Sequence, residues 1–333
     1  MTTQRIMTDI PLKGPDTPHR QVLYSLFRET WQTSWELIRI TIPVAILTKL
    51  CEELGLIHYI SAILEPIMGM IGLPGPLGLV WATAMLTNLY GGIAVFAALA
   101  PGLELTAAQV TVLCSAMLIA HGLPVELSVS KRAGANLLPI GAVRVLGALA
   151  YAYLLNGFCL LFSIWQAPAS LLFKVPESEG GLVAWSLNQL QNQGLIILII
   201  FCIIISMRLF KIIGLLTLLE KLLAPVLPLF GMGRHAAPLT VVGMVMGLSY
   251  GGALIIRETA SGKMDRREVF NSMALMGLCH GLVEDTLIMA AIGGKFSGIF
   301  WGRVLFSLIV ISMMVKISGW FAGRRRLYQS NEM

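Results

Sequence analysis

Two segments of the chain nearly repeat each other. Residues 121–146 read HGLPVELSVSKRAGANLLPIGAVRVL, and residues 280–305 read HGLVEDTLIMAAIGGKFSGIFWGRVL. Eight of the 26 aligned positions are identical, against about one or two expected by chance. Upstream, Tyr90-Gly91-Gly92 matches Tyr250-Gly251-Gly252 at an offset of 160. The sequence therefore predicts a chain built from two repeats.

The composition places both repeats in a membrane. Of the 333 residues, 56% are apolar and only 13% are charged, and the mean hydropathy is +0.78. Soluble globular proteins average about 45–50% apolar and about 25% charged. These values exclude a soluble enzyme and a disordered chain, and they predict an all-α polytopic membrane protein. The net charge of +6 is typical of basic cytoplasmic loops and does not indicate nucleic-acid binding.

Loop charges predict the orientation of the chain in a cell inner membrane. Residues 1–33 are polar and predict a cytoplasmic tail, while 323–333 contain three consecutive arginines and predict a second one. Residues 164–184 contain one lysine and two glutamates and predict an outer, periplasmic linker. The repeats then cover 34–163 and 185–322. Each crosses the membrane an odd number of times, so they are predicted to be inverted.

Each repeat is predicted to contain a span, an amphipathic helix, a re-entrant hairpin, a broken helix and a final span. The hairpin is preferred to a full span because it places the basic cluster between Arg257 and Arg267 on the cytoplasmic side. Irregular backbone at a hairpin tip must be buried in protein or line a cavity. The predicted segments are 34–50, 51–70, 77–100, 106–122 and 138–163 in the first repeat, and 195–210, 211–230, 239–257, 268–281 and 299–320 in the second.

This order of elements resembles the transport core of concentrative nucleoside transporters. The Tyr-Gly-Gly and His-Gly-Leu breaks are similar to those of nucleoside-recognition (Gate) domain proteins, which include spore maturation proteins A and B and the membrane part of ferrous iron transporter B. The chain looks like two Gate domains fused, across about residues 30–320. The resemblance implies a transporter core and a homo-oligomer, either a dimer or a trimer. It does not extend to the nucleoside transporters' substrate-binding motifs, so the substrate stays open.

Two histidines are the first candidates for the functional site. His121 and His280 each end an apolar segment and precede Gly-Leu at equivalent positions of the repeats. Histidine titrates near physiological pH and can relay a proton or bind a metal. Ionisable groups at membrane depth are costly and usually functional. The alternative is a neutral histidine that hydrogen-bonds the carbonyls of a broken helix.

Carboxylates follow both histidines in the sequence. Glu126 follows His121, and Glu284 and Asp285 follow His280. In a continuous helix His280 and Glu284 would share one face, although Gly281 opposes continuity. These groups are candidates to bind a cation, a proton or a polar part of a substrate. The alternative is an ordinary acidic loop.

The hairpins supply further candidates, because glycine allows close approach of backbone to a ligand and amide and phenol groups supply uncharged hydrogen bonds. The alternative is helix packing through small residues. Arg257 and Glu258 could bind a charged substrate group or could only signal topology. Arg144 and Arg303, present in both repeats, are expected to snorkel or to cap a neighbouring element. The hairpin candidates are Asn88, Tyr90, Gly91, Gly92, Tyr250, Gly251 and Gly252.

These features predict a secondary transporter that moves a small polar solute, nucleoside-like or other, coupled to H⁺ or Na⁺. The absence of nucleotide-binding, metalloprotease and serine-nucleophile motifs argues against an enzyme and leaves ion gradients as the energy source. No cofactor is predicted. The expected partners are the substrate, the lipid bilayer and a second copy of the chain. Two alternatives stay open: a divalent metal-ion permease, and a membrane scaffold or assembly protein that transports nothing.

Overall fold

The computed structural model describes residues 18–171, 181–230, 232–233 and 236–331. Within these ranges the secondary structure is helical, and only an isolated bridge between Thr106 and Pro168 has β geometry. Four of the described helices are long and apolar enough to cross a membrane. The predicted all-α polytopic membrane fold is confirmed. The four are Ala107–Arg132, which is long enough only when the two parts on either side of its break at residues 120–122 are taken together, Leu137–Leu161, Val183–Ile212 and Ser297–Ile317.

The described residues form seven α-helices in each half of the chain, in matching order. Each half has a long helix, a short amphipathic helix, two short paired helices, a helix broken into two parts, and a final long helix. A π-helical turn at Ser297–Gly302 leads into the last of these. The first half contains α1 (Pro18–Glu53), α2 (Leu56–Met70), α3 (Pro76–Leu86), α4 (Leu89–Leu99), α5 (Ala107–Ile119), α6 (Leu123–Arg132) and α7 (Leu137–Leu161), and the second contains α8 (Gly181–Ile212), α9 (Leu215–Leu223), α10 (Ala236–Met246), α11 (Leu248–Ala260), α12 (Arg266–Leu278), α13 (Glu284–Ala291) and α14 (Arg303–Asn331).

Some helix ends differ from the predicted segments. Helix α1 begins at Pro18, so the second half of the predicted polar tail 1–33 is helical and continues directly into the first span. Helix α14 likewise runs to Asn331, through most of the predicted tail 323–333. Residues 1–17, and residues 172–180 of the predicted linker, lie outside the described residues.

Helix α1 packs against α8. Phe27 stacks on Phe201 with ring centroids 6.2 Å apart, and Thr41 donates a hydrogen bond to the Gln193 side chain at 3.1 Å. Residue numbers rise along α1 as they fall along α8, so the two equivalent long helices of the repeats run antiparallel.

The two interrupted segments are hairpins, as the loop charges predicted. In the first, α3 and α4 fold back on each other, and a Cβ on Gly92 would lie 2.7 Å from the Ala84 Cβ. In the second, a Cβ on Gly251 would collide with the backbone of Gly243. Residues eight positions apart cannot touch within one helix, because each turn takes 3.6 residues. The chain therefore reverses between α3 and α4 and again between α10 and α11.

The hairpins turn just before the Tyr-Gly-Gly motifs, at the candidate Asn88 in the first and three residues ahead of Tyr250 in the second. The first hairpin turns at Thr87 and Asn88, where the Asn88 Oδ1 caps α4 by accepting a 2.9 Å hydrogen bond from the Gly91 N–H. The second turns at Gly247, whose φ of +100° is open to glycine. The motif glycines lie one turn further on, where they allow the hairpin arms to pack closely.

The broken helices form the centre of the molecule, and the hairpins hold them at their breaks. Helix α5 is buried along nearly its whole length, as is most of α12. At the first break the Gly122 N–H donates to the Ala84 carbonyl, and at the second the Leu282 N–H donates to the Met244 carbonyl, both at 2.9 Å. Each break is thus attached to the first arm of its own hairpin at an equivalent place.

Candidate functional site

Each candidate histidine caps the helix that it ends. His121 Nδ1 lies 2.8 Å from the Met117 carbonyl oxygen, and His280 Nδ1 lies 2.8 Å from that of Met276. A carbonyl oxygen only accepts hydrogen bonds, so each Nδ1 carries the hydrogen. In the neutral histidine, Nε2 then presents a lone pair. Both imidazoles are buried, with 6% and 3% of the residue exposed.

The two histidines meet, although they are 159 positions apart in the chain. Their ring centroids are 4.9 Å apart, and the two Nε2 atoms are 3.3 Å apart. Glu126 Oε1 lies 3.3 Å from the His121 Nε2 and 3.2 Å from the His280 Nε2. The three atoms form a nearly equilateral triangle. Each is an acceptor when the imidazoles are neutral, so the triangle is suited to hold a proton or a larger cation.

Arg144 orients the third member of this triangle. Its Nη1 pairs with the second carboxylate oxygen of Glu126. Its Nε donates to the Ile119 carbonyl and its Nη2 to the His121 carbonyl, each at 2.9 Å. The guanidinium therefore caps the end of α5 and binds Glu126 at once. The expected capping role is present, and the pairing with Glu126 was not anticipated.

Arg303 occupies the equivalent place in the second repeat. It is fully buried, its Nη2 donates to the Thr286 hydroxyl at 3.1 Å, and its Nη1 reaches the Leu118 carbonyl of the first repeat at 3.5 Å. It thus bridges the two repeats, whereas Arg144 binds within its own. The signal for both arginines was in the sequence, because the offset of 159 that aligns the histidines also aligns Arg144 with Arg303.

Asp285 is the equivalent of Glu126 and lies at the edge of the triangle. Its Oδ2 is 4.0 Å from the His121 Nε2. Its carboxylate folds back over Gly281, where a Cβ would collide with it, whereas a Cβ on Gly122 would lie 3.3 Å from the Glu126 Oε1. Both glycines have positive φ, +55° and +54°, so the backbone angle favours glycine at each break.

The carboxylates form the accessible side of the cluster. The Glu126 and Asp285 side chains are 15% and 18% exposed, against 7% and 4% for the side chains of His121 and His280. Two carboxylates and two guanidiniums balance in charge when both histidines are neutral. The cluster is therefore closest to the surface at Glu126 and Asp285.

Glu284 is not part of this cluster. Its side chain is exposed, and α13 begins only at Glu284, after the turn at Gly281. The helical spacing from His280 therefore does not hold, and the second carboxylate is Asp285, which comes one residue later.

The hairpin candidates surround the cluster without joining the triangle. The Thr87 carbonyl lies near Gly122, and Tyr90 is half-buried in the first turn of α4. Tyr250 is half-buried in the first turn of α11. The glycines serve packing: Gly91 lies against Thr87, Gly92 against Ala84 and Met117, Gly251 against Gly243, and Gly252 against Val129.

Arg257 and Glu258 lie away from the site. They are in the last turn of α11, about ten residues or 15 Å from the hairpin turn. Arg257 is exposed, and Glu258 pairs with Lys263 at 3.1 Å. This location fits the topology alternative that the sequence left open for them.

The chain is 26% identical over 270 residues to the uncharacterized membrane protein YvoD of Bacillus subtilis (strain 168), an alignment that covers 79% of this chain and 84% of that protein. No family model matches the chain, and no solved structure matches it. The similarity supports the membrane location and adds no substrate.

Proposed function

We propose that this protein is a secondary transporter that moves a small polar solute or ion across the cell inner membrane. The observation that carries the proposal is the cluster of His121, His280 and Glu126 with its buried arginines. Ionisable side chains are rare at membrane depth, and where they occur they mark substrate and ion pathways. Here they come from both repeats and meet where the two broken helices end.

The architecture supports the same function. Secondary transporters are commonly built from inverted repeats, with discontinuous helices around a site near the membrane midplane. The antiparallel packing of the equivalent helices α1 and α8 is what inverted repeats require. Alternating access would follow if the two hairpins, which hold the breaks at Ala84 and Met244, moved relative to the rest. Transport would be coupled to H⁺ or Na⁺, with both chain termini cytoplasmic.

A membrane scaffold is the competing function. A scaffold would have no use for a charged cluster that is partly open on its carboxylate side. It would also tolerate neutral replacements of the two histidines, provided that the variants fold. The two functions therefore predict different results for His121→Gln and His280→Gln: a transporter loses activity, and a scaffold does not.

The test begins with a thermal-shift screen of the detergent-purified protein against nucleosides, divalent metals, organic acids and amines. A compound that binds only the folded state raises the melting midpoint, and it is then assayed for uptake into proteoliposomes. We expect His121→Gln and His280→Gln to reduce uptake roughly 10- to 100-fold, because each removes a buried hydrogen-bonding or ligand group worth about 1–3 kcal/mol.

The matched control is His58→Gln, since His58 is exposed on α2 and lies outside the cluster. It should transport like the wild type. Size-exclusion chromatography would show that each variant is folded. If no compound raises the midpoint and both cluster variants melt like the wild type, the scaffold function would replace the transporter.

A further inference from the structure

We propose that the His121–His280–Glu126 triangle binds a divalent first-row transition metal ion of the Zn²⁺ type. The metal's role as cargo rests on the proposed transport function. The binding itself does not, because it follows from the geometry of the three side chains.

The size of the triangle fits a metal. Its edges are 3.3 Å between the two Nε2 atoms, 3.3 Å from His121 Nε2 to Glu126 Oε1, and 3.2 Å from His280 Nε2 to the same oxygen. Zinc binds imidazole nitrogen and carboxylate oxygen at about 2.0–2.2 Å in a tetrahedron, which places neighbouring ligand atoms about 3.3–3.5 Å apart. The three atoms therefore match one face of a zinc coordination shell.

Each of the three ligand groups is already oriented by a second partner. The Met117 and Met276 carbonyls hold the Nδ1–H groups of the histidines, which directs the Nε2 lone pairs to the triangle. Arg144 binds the other oxygen of Glu126. Metal-binding histidines almost always donate their other N–H to a carbonyl or carboxylate, and metal-binding carboxylates are themselves hydrogen-bonded. All three supporting contacts are present.

A single bridging proton explains the distances less well. A hydrogen bond between a charged nitrogen and a carboxylate is about 2.7–2.9 Å long, and it would draw Glu126 towards one histidine. The observed oxygen instead lies at nearly the same, longer distance from both histidines. Equal separations are what a cation at the centre requires.

The donor set selects the class of metal. Imidazole nitrogen suits zinc, iron, nickel and copper, whereas Mg²⁺ and Ca²⁺ prefer shells of oxygen alone. A triangle of ligands leaves the fourth position open to water or to Asp285, whose Oδ2 is 4.0 Å from the His121 Nε2. An incomplete shell also allows release, which a cargo ion needs and a structural zinc does not.

The test uses Zn²⁺ and Co²⁺ with the full-length protein, stripped of metal by a chelator in detergent. We expect one Zn²⁺ per chain by equilibrium dialysis, and binding of Mg²⁺ at least about 100-fold weaker because of the nitrogen ligands. The bound Co²⁺ should show visible absorption bands of tetrahedral strength. X-ray absorption of the zinc form should show two imidazole ligands, a readout that requires no variant to fold.

His121→Gln, His280→Gln and Glu126→Gln should each weaken Zn²⁺ binding at least about 10- to 100-fold. His58→Gln and Glu104→Gln are the matched controls, since both side chains are exposed and remote from the cluster, and they should bind like the wild type. Absence of Zn²⁺ and Co²⁺ binding by the wild type would overturn the metal site, as would a zinc spectrum without imidazole.

Uptake of ⁶⁵Zn²⁺ into proteoliposomes separates this inference from the transport function. Binding together with uptake that is lost in Glu126→Gln supports both. Binding without uptake of any compound leaves the site in place and overturns the transporter. Uptake of another solute by a protein that binds no metal leaves the transporter in place and overturns the metal site.

Discussion

The Arg144→Met variant is expected to lose about 3–5 kcal/mol of unfolding free energy, the cost of removing one partner from a buried ion pair. Arg144 is 1% exposed. Its loss would leave the Glu126 carboxylate and the carbonyls of Ile119 and His121 without their shared donor. The measurement is unfolding by sodium dodecyl sulfate titration in mixed micelles, followed by circular dichroism.

Arg132→Met is the matched control, because Arg132 is exposed in the last turn of α6. It should change the unfolding free energy by no more than about 0.5 kcal/mol. Arg144→Lys should not restore stability, since one ammonium group cannot replace a planar fork that reaches three acceptors.

A double-mutant cycle tests whether Arg144 stabilises the protein through its contact with Glu126. Combined with Glu126→Gln, Arg144→Met should cost less than the sum of the two single changes, because the two side chains interact directly. Additive effects, or an Arg144→Met variant as stable as Arg132→Met, would mean that Arg144 does not hold the carboxylate.

Gly251→Val is expected to destabilise the protein by about 3 kcal/mol or more, because it overpacks the second hairpin. A Cβ at Gly251 would collide with the Gly243 backbone and lie 2.6 Å from the Met276 Sδ. Backbone cannot yield as a flexible side chain can, so the arms must separate. Met276 also supplies the carbonyl that holds His280, so ligand binding at the cluster should weaken as well.

Gly157→Val is the matched control, because Gly157 is also in a helix and a Cβ there would meet nothing within 4 Å. It should be close to neutral in the same unfolding titration. Equal stability of the two variants would contradict the close packing of α10 on α11.

Much of this organisation was readable from the sequence because it depends on local patterns. Composition alone required a membrane, since a chain with 13% charged residues cannot cover a soluble surface. The offset between the two His-Gly-Leu motifs predicted two repeats, and the charges between Arg257 and Arg267 predicted hairpins. These are statements about residue type and spacing, and they hold without any knowledge of which helices touch.

The hairpin turns were harder to locate, because more than one residue type can reverse a chain. The Tyr-Gly-Gly motif is typical of a break in a helix. The first hairpin nevertheless turns at Asn88, which caps α4, and the second turns at Gly247, which has a positive φ. The glycines of the motifs are needed instead for their small size, because the other arm of the hairpin packs closely against them. Only the packed structure distinguishes a glycine needed for its backbone angle from one needed for its size.

The residue pattern alone shows that His121 and His280 are equivalent, and it predicts that each ends a helix. Their meeting across the two repeats, with the Nε2 atoms 3.3 Å apart and Glu126 beside both, is visible only once the helices are packed. The packing also places Asp285, and not Glu284, at their edge. A left-handed glycine at each break changes the direction of the chain, so the contacts beyond it depend on how whole helices pack and not on residue spacing along one helix.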